Sequence, residues 1–161
     1  QVPFTIMFTC SRSWLSTLIR WWSGERITHV SLSYRFCDMD LVLEAGPHGV
    51  ITHPRALAVS ARDIVAEFHP PPGLRLQRAM EFLDTGYDYG GLFGMAWVYF
   101  CKRLGHAVTN PFGVRGRLLC SELVLRMDTD RVVETWRGLD PEATSPFRLY
   151  EACKKAGFLE A

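Results

Sequence analysis

The chain has 161 residues, of which 48% are hydrophobic and 22% charged, with a net charge of +1. That length gives one domain over residues 1–161, large enough to bury a core without disulfides or metal. The balanced charge, with arginines scattered rather than striped, excludes a nucleic-acid partner as the first expectation.

Phe4 to Thr9 is apolar and β-prone and reads as a first strand; the start, Gln1-Val2-Pro3, reads as a strand entry rather than a secretory leader. Ser11 or Ser13 then caps a short helix through Trp22, with Trp14, Leu15, Leu18, Ile19 and Trp22 at helical spacing and Gly24 as its stop. That tryptophan-rich helix reads as core, with a membrane surface as the alternative resting place. Thr28 to Tyr34 alternates, with Thr28, Val30, Leu32 and Tyr34 on one side and His29, Ser31 and Ser33 on the other. Cys37-Asp38-Met39-Asp40 is a turn, Leu41 to Ala45 a strand, Gly46-Pro47 a break and Gly49 to His53 another strand; the three strands predict an antiparallel meander. Ile64 to Phe68 is a further strand, stopped by His69-Pro70-Pro71-Pro72-Gly73.

The second half is helical. Leu74 to Thr85 reads as an amphipathic helix with Gly86 at its end, Tyr89 to Leu104 as a buried helix, and Gly105 to Gly116 as a loop. Leu119 to Met127 and Pro146 to Ala156 are the last helices, the second closed by Gly157. Strands first and helices after predict an α+β fold. The longest apolar stretch, Gly90 to Cys101, is too short to span a bilayer, so a soluble protein is expected.

The five cysteines, Cys10, Cys37, Cys101, Cys120 and Cys153, form no CxxC pair and no metal-like spacing with His48 or His53. A reducing compartment, or a thiol with a chemical role, fits better than a disulfide framework. Cys120 opens a predicted helix, where backbone N–H groups and the helix dipole favour a thiolate by about 0.3–1 kcal/mol. That is too little for a nucleophile, so a histidine neighbour is required. His29 lies on the small-polar side of a strand that is otherwise hydrophobic. Glu44, in the apolar run Leu41-Val42-Leu43-Glu44-Ala45, must face out or hold a partner. Pairing of its strand with that of His29 would let it orient the imidazole, as the third member of a triad does. Tyr87, in Tyr87-Asp88-Tyr89, reads as a half-buried tyrosine that can donate to a developing oxyanion. Cys10 also precedes a helix and is the alternative thiol.

In order along the chain, Ser13-Trp14 with Leu18-Ile19-Arg20-Trp21-Trp22, Thr28-His29-Val30-Ser31-Leu32, and Val42-Leu43-Glu44-Ala45 with Gly49-Val50 form the first part of a pattern. Gly86-Tyr87-Asp88-Tyr89 with Gly91-Leu92, Cys120-Ser121-Glu122-Leu123-Val124, and Ser145-Pro146 with Leu149 complete it. This ordered set resembles the circularly permuted branch of the NlpC-type papain-like hydrolases, in which the histidine strand precedes the cysteine helix. The resemblance implies a small antiparallel sheet packed against a helix bearing the thiol. It implies Cys120 as nucleophile, His29 as general base and Glu44 as the polar third residue, with Tyr87, Ser121 and Ser31 beside oxyanion and substrate. It further implies amide hydrolysis in peptides, including bacterial cell-wall peptides, by a bacterial or phage enzyme, with no metal and no organic cofactor. The expected partner is a peptide or acyl-amide substrate, with contact to a membrane surface or cell wall open. Two alternatives stand beside it: a lipid acyl hydrolase or acyltransferase using the same residues, and a non-catalytic binding module.

Overall fold

The computed structural model describes residues 2–12, 17, 20, 24–90, 94, 97, 101, 104–106, 108 and 117–161. Most of the expected helix from Ser13 to Trp22, most of the expected helix from Tyr89 to Leu104 and the greater part of the expected loop from Gly105 to Gly116 lie outside the described residues.

Alternating apolar and small residues build a six-stranded antiparallel sheet. Its strands are β1 (Phe4–Ser11), β2 (His29–Phe36), β3 (Met39–Gly46), β4 (Gly49–Pro54), β5 (Arg62–His69) and β8 (Leu159–Glu160). The order across it is β4-β3-β2-β1-β5-β8. Strands β2, β3 and β4 form the expected meander, joined by tight turns at Cys37-Asp38 and Pro47-His48. The short parallel pair β6 (Gly86–Tyr87) and β7 (Arg117–Leu118) stands apart from the sheet.

The described helices are α1 (Arg55–Ser60), α2 (Leu76–Met80), α3 (Cys120–Arg126) and α4 (Pro146–Lys155), and the class is α+β as the sequence predicts. Period-two alternation gives the sheet two apolar faces. On the larger, Ile6, Phe8, Val30, Leu32, Leu43 and Phe68 pack with Leu123 and Val124 of α3 and Leu149 of α4. Phe8 meets Phe68 and Tyr150 edge-on, with ring centroids 5.9 and 5.5 Å away. On the other face Met7 and Val42 pack against Ala58 of α1.

Three differences from the sequence reading have local causes. The helix expected over Leu74–Thr85 is confined to Leu76–Met80. After it Phe82, Leu83 and Thr85 donate to the carbonyls three residues back, and Asp84 takes a left-handed φ of 65°. Helix α1 was not expected; at six residues it shows less than two turns of periodicity. Strands β6, β7 and β8 are two residues each, too short for any alternation to show.

Candidate active site

Ser145 accepts the Arg148 N–H at the start of α4, and Glu122 accepts the Leu119 N–H at the start of α3. The Glu122 carboxylate also accepts from Arg126 Nε at 2.7 Å, so both ends of the first α3 turns are tied. That fixes Cys120 at the first position of α3, 6% exposed, with the two-residue β7 just ahead of it.

The β2–β3 ladder ends at the Leu32–Leu43 pair. Beyond it the strands part, and side chains close the gap. His29, first residue of β2, donates its Nε2–H to Glu44 Oε2 at 2.8 Å. Its other nitrogen is left for the thiol, and the imidazole is hydrogen-bonded to Cys120. The backbone N–H groups of Val30 and Ser121 also donate to the Cys120 sulfur. The structure thus brings Cys120, His29 and Glu44 together at one site, with His29 bonded to Glu44 and coupled to the thiol.

The charges follow. Burial alone would push the His29 pKa down; the facing Cys120 charge and hydrogen bond, and then those of Glu44, outweigh it and lift it from 6.5 to about 9. Burial would raise the Cys120 pKa, but the His29 charge and hydrogen bond, with the two backbone donors, bring it below the ordinary thiol value. Burial would likewise raise Glu44; His29 and then Arg62 hold it well below the usual carboxylate range. The arrangement therefore favours a thiolate–imidazolium pair anchored on a carboxylate.

Tyr87 lies on β6, in register with Leu118, two residues ahead of Cys120. Burial first, and then the Cys120 charge, push its phenol well above the ordinary value, so it keeps its proton and remains a donor. Tyr89 packs edge-on against it at 5.1 Å and donates its hydroxyl to Pro47 O at 3.0 Å.

The two serines take other positions than a substrate contact requires. The Ser121 hydroxyl is committed to Thr144 O at 2.6 Å and is 1% exposed; what Ser121 brings to the thiol is its backbone N–H. Ser31 is wholly buried on the same side of β2 as His29. Cys10, the alternative thiol, sits 3.1 Å from Arg20 Nη1, and no hydrogen bond joins it to His29. Burial drives the Cys153 thiol to about 12, which leaves it inert.

Two members of the site were missed by sequence reasoning. His53 Nε2 lies 3.1 Å from Glu44 Oε1, and Arg62 clamps both carboxylate oxygens, Nη2 at 3.0 Å from Oε1 and Nη1 on Oε2. In the sequence His53 has no metal-like spacing with a cysteine to draw attention to it, and Arg62 offers no local signal. Among the described residues no group of three or more His, Cys, Asp or Glu side chains is set to hold a metal; a guanidinium fills the cation's place at Glu44. No described helix is long and apolar enough to cross a membrane. A cavity of about 270 Å³, lined by Phe4, Tyr34, Arg35, Arg55 and His69 among others, lies at the far end of β1 and shares no residue with the Cys120 site.

Comparison with protein families, with curated proteins and with solved structures finds no match to this chain.

Proposed function

We propose that the chain is a cysteine hydrolase that cleaves amide bonds through a thioester, built as a permuted papain-like domain with Cys120, His29 and Glu44 as its triad. The observation that carries the reading is the meeting of thiol, imidazole and buried carboxylate: His29 is bonded to Glu44 at 2.8 Å, and it and Cys120 shift each other's pKa values. The thiolate attacks the substrate carbonyl, and the Cys120 N–H with the Tyr87 phenol faces the developing oxyanion. Imidazolium His29 protonates the leaving amine. In the acyl-enzyme the sulfur carries no charge, so the largest influence raising the His29 pKa is gone. The neutral imidazole then takes a proton from water, and hydroxide attack releases the acid. The resemblance to the permuted NlpC-type hydrolases is what supports peptide substrates, with bacterial cell-wall peptides as the first class to assay.

The test is digestion of peptidoglycan fragments, read by mass spectrometry. Wild-type protein is expected to release peptides, while Cys120→Ser and His29→Ala fold normally and are inactive. A fully active Cys120→Ser variant would refute the mechanism. Cleavage of acyl lipids with no action on peptides would transfer the same chemistry to lipid substrates. Failure of Cys120 to alkylate faster than a free thiol would favour a binding module.

A further inference from the structure

Glu44 is 4% exposed and sits between Leu43 and Ala45, both wholly buried. A carboxylate there must be neutralised at all times or it costs several kcal/mol. His29 alone cannot do this in the mechanism proposed above, on which this inference rests, because His29 alternates between imidazolium and imidazole during each turnover. Some other group must carry the compensating charge in the half of the cycle when His29 is neutral.

The structure supplies one. Arg62, the first residue of β5, forms a bidentate pair with Glu44, and a guanidinium keeps its charge at every working pH. His53 reaches Oε1 from β4 at 3.1 Å. Each carboxylate oxygen therefore has two partners: Oε2 holds His29 and Arg62, Oε1 holds His53 and Arg62. Side chains from β2, β4 and β5 converge on one residue of β3. The four contacts leave the carboxylate no freedom to rotate away from the imidazole.

We infer that Arg62 and His53 are positioning residues for the proposed reaction: Arg62 keeps Glu44 anionic while His29 is neutral, and His53 fixes the plane in which Glu44 meets the imidazole.

The groups facing Glu44 are His29, His53 and Arg62; Cys120 faces His29, Tyr87 lies near both Cys120 and Arg62, and the test follows their charges. Arg62→Met is expected to lower kcat about ten- to a hundredfold, the span of a charged hydrogen bond, with little change in KM. It should also move the acid limb of the rate profile to higher pH, because Glu44 then protonates more readily. Arg62→Lys keeps the charge and loses the fork, so kcat falls while the acid limb stays. His53→Gln, which retains a donor, should behave like Arg62→Lys. In a Glu44→Gln background, Arg62→Met should cost little more. An unmoved acid limb in Arg62→Met, or an equal loss with and without Glu44, would overturn the inference. If Arg62→Met does not fold, the decision rests on Arg62→Lys: an acid limb that shifts in that variant overturns the inference, and one that stays supports it. These outcomes are separable from the fate of the hydrolase reading. That reading fails with an active Cys120→Ser, whereas this inference fails with an inactive Cys120→Ser and an Arg62→Met variant whose profile does not move.

Discussion

At the scale of single residues, the decisive quantity is where the proton between Cys120 and His29 rests. Both side chains are nearly buried, and burial by itself would leave a neutral thiol and a neutral imidazole. Their mutual attraction, the two backbone donors on the sulfur and Glu44 behind the ring reverse that preference. The consequence differs between two measurements. Alkylation by iodoacetamide needs only the thiolate, so Cys120 should react well below the ordinary thiol midpoint and keep reacting above pH 9. In the proposed reaction turnover needs the imidazolium as acid for the leaving group, so kcat/KM should decline as pH rises through about 9. Peptide mapping must follow the label, because Cys37 is exposed and will also react. An alkylation profile of Cys120 with a midpoint near 8.5, that of a free thiol, would contradict the ion pair.

At the scale of elements, the site exists because two regular structures stop at the right places. The β2–β3 ladder ends at Leu32–Leu43, which frees the Val30 N–H for sulfur and lets His29 and Glu44 meet across the gap. The tyrosine side is placed by β4. Gly49 holds φ at +91°, and a Cβ there would lie 2.6 Å from Thr85 O, the carbonyl that accepts the Val50 N–H at 2.8 Å. Gly49→Ala is therefore expected to cost about 2–4 kcal/mol, from the left-handed backbone and the displaced carbonyl together, read as a lowered urea midpoint. The same variant should slow turnover by shifting Tyr87. An unchanged midpoint would show that Thr85 yields freely. Period-two patterning made β2, β3 and β4 legible in the sequence, and with them the histidine and the carboxylate. A thiol just after a glycine- and arginine-rich loop and at the head of an apolar helical run made Cys120 legible. Arg62 and His53 were not, because their meeting with Glu44 depends on sheet order: β5 joins β1 from the far side, and no spacing along the chain encodes that. The two-residue strands and the short α1 were illegible because one or two residues carry no period.

For the whole molecule, part-buried ion pairs act as cross-links between separate elements of the chain. Arg62–Glu44 joins β5 to β3, and Arg55–Glu67, with distances of 2.6 and 2.8 Å, joins α1 to β5. Both carboxylates titrate below their ordinary value of 4.5 in the folded state, Glu44 through His29 and Arg62, Glu67 through Arg55 foremost. A depressed folded pKa contributes stability that is complete above the unfolded value and lost as pH falls through the folded one. The thiol and imidazole behave otherwise. His29 contributes stability present below 6.5 and lost as pH rises through about 9, whereas Cys120 contributes stability present above 9.0 and lost as pH falls. Between pH 6.5 and 9 the unfolded pair holds its proton on sulfur and the folded pair holds it on nitrogen. The count is equal, so the slopes cancel and stability should be level there. The urea midpoint is thus expected to be flat from about pH 7 to 8.5 and to fall steeply below about pH 4.5. Glu44→Gln and Glu67→Gln should each lower the plateau and flatten the acid limb. An acid limb as steep in the double variant as in the wild type would show that other carboxylates, not these two cross-links, govern unfolding in acid.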